Sequence, residues 1–183
     1  MFLNAWILAT LLSFPLWGLC FDLDSIFDEI NSIDHDFNDM FRVLSQEVFR
    51  MDDSRPVDEV RKSVESAAQG LKAVSEKIRY DSTIDDSIDV MEAFCDDMEF
   101  FMHTQMKAAD LFVFKAHNMR DAVKSPALPD AVVELSAAYD RYATQMIPLV
   151  RHCGSRRAED IYVVKSTLHR ALIDLKPSGR RAV

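Results

Sequence analysis

The stretch from Ile84 to Val123 constrains the fold most strongly, because its roughly forty residues contain neither glycine nor proline. Apolar or small side chains recur along it at alternating steps of three and four residues, which is the period of one helix face. Gln105 is the one polar residue on that stripe. The stretch therefore predicts a long amphipathic helix. Phe100 and Phe114 lie off the stripe, which predicts neighbours on more than one side of this helix.

Four further segments show the same helical period, and proline or cap-forming residues separate them. We expect these helices at about Asp22–Phe49, Pro56–Tyr80, from Pro129 onward, and at Ala158–Leu175. Pro148 interrupts the fourth pattern, so a kink or an early end is expected near Gln145. Because the loops are short, sequential helices are expected to be antiparallel. The prediction is an all-α, five-helix antiparallel bundle with a long central third helix.

The composition agrees with a helical globular protein. Of the 183 residues, 49% are hydrophobic and 28% are charged, with only four Gly and six Pro, a balance that argues against disorder. The net charge of -9 disfavours nucleic acid and anionic membrane surfaces as partners, because both attract positively charged proteins. Much of the acidic excess falls in residues 21–60, where it predicts a solvated face on the first helix.

Residues 1–20 form an uncharged apolar run that is long enough to span a bilayer. Its N-terminal position, the proline at Pro15, and the small residues Gly18 and Cys20 favour a cleaved signal peptide; an uncleaved anchor is the alternative. We therefore expect a signal peptide at 1–20, a helical bundle domain at 21–176 and a flexible basic tail at 177–183. This organisation predicts a secreted protein without an integral membrane span after processing.

Removal of Cys20 with the signal peptide leaves two cysteines, Cys95 and Cys153, on predicted buried stripes. If the third and fourth helices fold back on each other near residue 126, the two cysteines are offset by roughly 7–8 Å along the helix axis. Loop geometry and the Pro148 kink can absorb that offset. In an oxidising compartment this arrangement predicts a Cys95–Cys153 disulfide, and two buried free thiols are the alternative.

The sequence contains no catalytic or metal-binding motif that we recognise, such as a nucleophile elbow, a phosphate-binding loop or an HExxH pair. Adjacent carboxylates such as Asp96 and Asp97 point about 100° apart on a helix and cannot converge on one ion. We therefore expect no catalytic activity, no metal and no other cofactor. The nine Met and twelve Phe suit an apolar cavity of variable shape, and an ordinary core is the alternative.

A family resemblance emerges from the order and spacing of these elements. The chain has Ile30–Asp34 near the start of its first helix, a V-x-x-V-x-x-x-V helix from Val57, and Leu135–Tyr139 followed by Pro148-Leu149. With the signal peptide and the long third helix, this pattern resembles the fungal hydrophobic surface-binding protein A family and the related cell-wall galactomannoproteins. The resemblance implies a secreted, cell-wall-associated bundle that binds lipids or hydrophobic surfaces without catalysis.

We expect the partner to be a lipid, such as a fatty acid, or a hydrophobic surface, bound in an apolar groove or cavity between the first, third and fourth helices. The residues expected to contact it are apolar or aromatic side chains from these helices: Phe37, Met40, Phe41, Met98, Phe101, Met102, Phe112, Tyr142 and Met146. The alternative is a secreted interaction factor or effector whose acidic first helix binds another secreted protein.

Overall fold

The computed structural model describes residues 23–47, 49, 54–80, 88–122 and 126–175, and the predicted signal peptide and basic tail lie outside these ranges. The described residues form α1 (Leu23–Gln46), α2 (Arg55–Tyr80), α3 (Ile88–Ala122), α4 (Ala127–Val150) and α5 (Ser155–Leu175), with a 3₁₀ turn at Arg151–Cys153. No strand occurs among them. The predicted all-α fold of five helices is therefore confirmed.

The helix α4 ends later than its proline suggests. It continues through Pro148 to Val150, so the expected early end near Gln145 is wrong. Proline removes one backbone donor, but the neighbouring Met146 and Ile147 are buried in the core, and this packing keeps the last turn helical. After α4 the chain continues into the 3₁₀ turn and leaves helical conformation at Gly154. The φ of Gly154 is 99°, a value that glycine alone adopts readily.

The five helices close a ring in the order α1, α2, α4, α5, α3. Within this ring α1 and α2 are antiparallel, because Glu29 pairs with Lys77 whereas Asp36, further along α1, accepts a hydrogen bond from Ser66, further back in α2. Although α3 and α4 are consecutive in sequence, they are not neighbours in the ring. They face each other across the centre of the bundle.

Helices α3 and α5 run in the same direction. Cys95 bonds to Cys153 and Glu99 pairs with Arg157, and each pair is separated by 58 residues. Because the sequence separation of the paired residues stays the same from one pair to the next, α3 and α5 are parallel. Neighbouring helices are therefore not all antiparallel, because the chain returns from α4 to lay α5 beside α3.

The predicted disulfide between Cys95 and Cys153 is confirmed, with a Cα–Cα distance of 5.2 Å. Its place in the fold differs from the expected one, because Cys153 lies in the 3₁₀ turn after α4. The bond consequently ties the first half of α3 to the turn that joins α4 to α5.

The glycine inside α2 lies where α1 approaches closely. A Cβ at Gly70 would lie 2.8 Å from the Asp36 carboxylate and 3.4 Å from the Ile33 side chain. An alanine at this position would therefore require the Asp36 side chain to move. One continuous core with residues from all five helices fills the interior of the ring.

We predict that the double variant Cys95→Ser/Cys153→Ser lowers the free energy of unfolding by about 2–4 kcal/mol, because the disulfide restricts the unfolded chain. Chemical denaturation of the mature protein measures this loss. Reductant should shift the wild type to the same midpoint and leave the variant unchanged. A variant as stable as the oxidised wild type contradicts the prediction.

Candidate ligand site in the bundle core

The residues predicted to contact an apolar ligand lie, with one exception, together in the hydrophobic core. Eight of the nine are at most 3% exposed: Phe37, Met40, Met98, Phe101, Met102, Phe112, Tyr142 and Met146. The exception is Phe41, which is 37% exposed. The fold thus gathers these side chains from α1, α3 and α4 into one cluster, and it encloses them rather than leaving them in an open groove.

A polar cluster lies at the centre of this core and consists of Gln105, Tyr139 and Tyr142, which we call the central polar cluster. All three residues are fully buried. The Tyr139 hydroxyl donates a hydrogen bond of 2.9 Å to Gln105 Oε1, across the bundle from α4 to α3. Gln105 Nε2 and the Tyr142 hydroxyl make no hydrogen bond with any described residue. Two donors therefore remain unsatisfied in an apolar interior, where such groups are costly.

Burial keeps both tyrosines of the central polar cluster protonated. It raises the pKa of Tyr139 well above its ordinary value. It also raises the pKa of Tyr142, and a hydrogen-bonding contribution from the Gln105 side chain lowers that pKa by a smaller amount. The Gln105 amide therefore lies beside the Tyr142 hydroxyl, although the two groups do not meet the geometry of a hydrogen bond. Each phenol consequently carries its proton at physiological pH. Tyr142 is thus available as a hydrogen-bond donor.

Aromatic contacts connect the central polar cluster to α1. The rings of Tyr139 and Tyr142 are 5.5 Å apart and tilted, and the Phe37 ring meets that of Tyr139 edge-on at 6.4 Å. Such tilted and edge-on pairs are favourable because the positive edge of one ring approaches the negative face of the other. The ring of Phe37 therefore packs α1 directly against the α4 tyrosines.

Asp34 is a buried carboxyl that the sequence analysis places on a solvated acidic face. It is 9% exposed, and Asn38 Nδ2 donates a hydrogen bond of 2.9 Å to its Oδ2. Burial raises the pKa of Asp34, with smaller opposing contributions from Thr104, Asn38 and His35. A signal for this burial was present in the sequence, because Asp34 lies between Ile30 and Phe37 at helical spacing.

Three surface clefts of about 430, 510 and 440 Å³ lie between helices α2 and α4, α3 and α5, and α4 and α5. Charged and hydroxyl side chains supply much of their lining, including Lys72, Arg157 and Asp140. None of the three clefts contains a residue from the predicted apolar set. The predicted apolar set therefore lies apart from these three clefts, in the buried core.

Two aromatic residues of α3, Phe100 and Phe114, led to the prediction of neighbours on more than one side of this helix. Helix α3 does contact both α1 and α5, but the two rings are themselves 62% and 74% exposed. The apolar character of these residues can be read from the sequence. It does not show whether a neighbouring helix covers the side of α3 on which they lie. These two rings are therefore surface features of α3.

Within the described ranges, no group of three or more His, Cys, Asp or Glu side chains is arranged to hold a metal ion. The same part of the chain contains no helix with the length and apolarity needed to cross a membrane.

We predict that Asp34→Asn raises the free energy of unfolding at pH 7. The native state binds the Asp34 proton more tightly than the unfolded chain, so the wild type loses stability as pH rises from the ordinary Asp value of 3.8 through the raised native value. Asparagine retains an acceptor for Asn38 and carries no buried charge.

Denaturant titrations of the wild type and variant between pH 3 and pH 8 test this prediction, and the gain should disappear at the acidic end. Asp39→Asn is the matched control, because Asp39 is half-exposed and its ion pair with Arg42 belongs to a class with little effect on stability. A wild type that is more stable than Asp34→Asn at pH 7 contradicts the prediction.

Comparison of the chain with known proteins identifies no relative. No protein-family model matches the chain, and no match is found among curated proteins or solved structures.

Proposed function

We propose that this protein is a secreted, non-catalytic binder of apolar ligands that takes a lipid chain into its bundle core. One observation carries the proposal: five methionines are fully buried in the same core as the incompletely hydrogen-bonded central polar cluster. They are Met40, Met98, Met102, Met119 and Met146. This proposal is consistent with the resemblance to the hydrophobic surface-binding proteins, which itself remains a prediction.

The chemistry of methionine supports a core that can rearrange. Its unbranched thioether side chain has several rotatable bonds, so it can fill an irregular space and repack when a ligand enters. In this protein Met98 and Met102 of α3 and Met146 of α4 belong to helices that face each other across the ring. Movement of these three side chains is a way to admit a chain without a permanently open cavity.

Uptake requires the ring of helices to open, because the candidate residues are enclosed. The disulfide holds α3 to the turn that joins α4 to α5, and side-chain ion pairs link α4 to α5 (Asp140–Lys165) and α2 to α4 (Lys72–Glu134). Between α1 and α3 the described polar contacts include a hydrogen bond of 3.4 Å from Lys115 Nζ to the Glu47 carbonyl and the interaction of Thr104 with the Asp34 carboxyl, and neither of these is an ion pair. We infer that the ligand enters between α1 and α3.

The acidic first helix is the basis of the alternative function, and its described contacts favour the apolar proposal. Most of its acidic side chains are engaged within the molecule: Glu29 with Lys77, Asp36 with Ser66, Asp39 with Arg42, and Asp34 by burial. Side chains with intramolecular partners must give up those contacts before they can bind another protein.

We predict that the delipidated mature protein binds a fluorescent fatty-acid methyl ester. The triple variant Met98→Leu/Met102→Leu/Met146→Leu should bind it roughly tenfold more weakly. Leucine nearly conserves volume, so folding is retained, but its branched side chain repacks less freely. Fluorescence titration measures the binding, and mass spectrometry of an organic extract tests for lipid that co-purifies with the wild type.

Met119→Leu is the matched control, because Met119 is equally buried on α3 but lies outside the predicted set. Its affinity should equal that of the wild type. Absence of both probe binding and co-purified lipid in the wild type eliminates the proposed function. Equal losses in the control and triple variants would assign the effect to general destabilisation.

A second candidate function, adsorption to hydrophobic surfaces, is favoured by the exposed Phe100 and Phe114. They are fourteen residues apart on α3, which places them about 21 Å apart along the axis and within about 40° of each other around it. Two aromatic rings on one side of a rigid helix can contact a flat apolar surface together.

We predict that Phe100→Ser/Phe114→Ser reduces adsorption to hydrophobic beads by at least half, and leaves uptake of the fluorescent fatty-acid methyl ester unchanged. Depletion of protein from solution measures the adsorption. The control variant Val133→Ser/Ile173→Ser removes two exposed apolar residues of α4 and α5 and should adsorb like the wild type. Unchanged adsorption by the phenylalanine variant contradicts this second function.

A further inference from the structure

We propose that the central polar cluster binds the polar head of the ligand, and that this head is a neutral carbonyl group such as that of a fatty-acid ester. The inference rests on the proposed function, because it assigns the chemistry of the ligand that enters the core. It adds a class of head group and two residues, Gln105 and Tyr142, that recognise it.

The hydrogen-bonding inventory of the cluster points to an acceptor on the ligand. Gln105 Oε1 already accepts from Tyr139, so the free group of this side chain is its Nε2 amide, which only donates. The Tyr142 hydroxyl has no hydrogen-bond partner among the described residues and keeps its proton. Two donors belonging to neighbouring groups fit one acceptor oxygen with two lone pairs.

The charge of the surroundings favours a neutral head over a carboxylate. The buried polar residues of the described chain are Asp34, Ser75, Thr104 and Gln105, and none of them is a cation. A carboxylate at the cluster would therefore be buried without a compensating positive charge, which is strongly unfavourable. An ester carbonyl accepts the same two hydrogen bonds and carries no charge.

The apolar part of the ligand would then occupy space that the methionines can vacate. Met98 and Met102 precede Gln105 by about two turns and one turn of α3, and Met146 follows Tyr142 by about one turn of α4. All three are buried in the same core. A chain that extends from the cluster along α3 therefore meets flexible side chains on two helices.

Competition against the neutral fluorophore N-phenyl-1-naphthylamine tests the inference with three ligands of similar length: tetradecane, methyl laurate and sodium laurate. We expect the wild type at pH 7 to bind methyl laurate about tenfold more tightly than tetradecane, because the two donors gain a partner. It should also prefer the ester to laurate. Tyr142→Phe and Gln105→Met should each lose most of the preference for the ester and bind tetradecane as the wild type does.

Two controls separate recognition from folding. Tyr162→Phe removes the same hydroxyl from an exposed tyrosine of α5 and should retain the preference. Tyr142→Phe should be at least as stable as the wild type without ligand, since the deleted hydroxyl has no partner, whereas Tyr139→Phe should be less stable because it leaves Gln105 Oε1 unpaired.

The outcomes distinguish this inference from the proposed function. If no ligand displaces the fluorophore, both fail. If tetradecane and methyl laurate compete equally well, or if both cluster variants keep the ester preference, the core binds apolar chains and the head-group assignment is overturned. The second of these results is also the one expected if buried water alone satisfies the two donors.

Discussion

The hydrogen bond from Tyr139 to Gln105 connects two helices that the ring keeps apart. Because α3 and α4 are not neighbours, only side chains long enough to cross the interior can join them. Tyrosine and glutamine supply that length and end in polar atoms, so the middle of the bundle is occupied by a hydrogen bond as well as by apolar packing. The rings of Phe37 and Tyr142 both contact the ring of Tyr139, the donor of this hydrogen bond.

This central arrangement has an energetic cost that ordinary cores avoid. An apolar residue in place of Gln105 would leave no amide donor to satisfy, and a buried donor without a partner costs about 1–3 kcal/mol. Because most buried polar groups in folded proteins have a hydrogen-bond partner, the two donors of the central polar cluster are an exception within this core. The flexible methionines in the same core lower the energetic difference between alternative packings.

Much of the local structure could be predicted from the residues, because the apolar residues of an amphipathic helix recur at the helical period. The spacing of apolar residues predicted all five helices, and most of the residues expected in a shared apolar cluster are buried together. Gln105 stood out as the exception on its stripe for the reason that the structure shows: it is polar and buried.

The arrangement of the helices could not be predicted in the same way. A stripe shows that one side of a helix is covered, but it does not identify the helix that covers it. The disulfide pairing was therefore predicted correctly on the assumption that α3 packs on α4, whereas the bond joins α3 to the turn between α4 and α5, and α3 packs beside α5. The same limitation applies to Asp34, whose charge suggested solvent, and to Phe100, whose apolar ring suggested burial.

The disulfide also determines how the molecule can deform. It joins the first half of α3 to the turn just before α5, and these two helices run in the same direction. Helices α3 and α5 therefore form a covalently linked pair, and relative sliding between them is blocked at that end. Among the described residues, only non-covalent contacts hold the antiparallel pair α1 and α2 to the pair α3 and α5. The bundle is therefore mechanically asymmetric. When the core opens thermally, the α1–α2 hairpin is expected to rotate away from the α3–α5 pair, with the hinge on the side of α4.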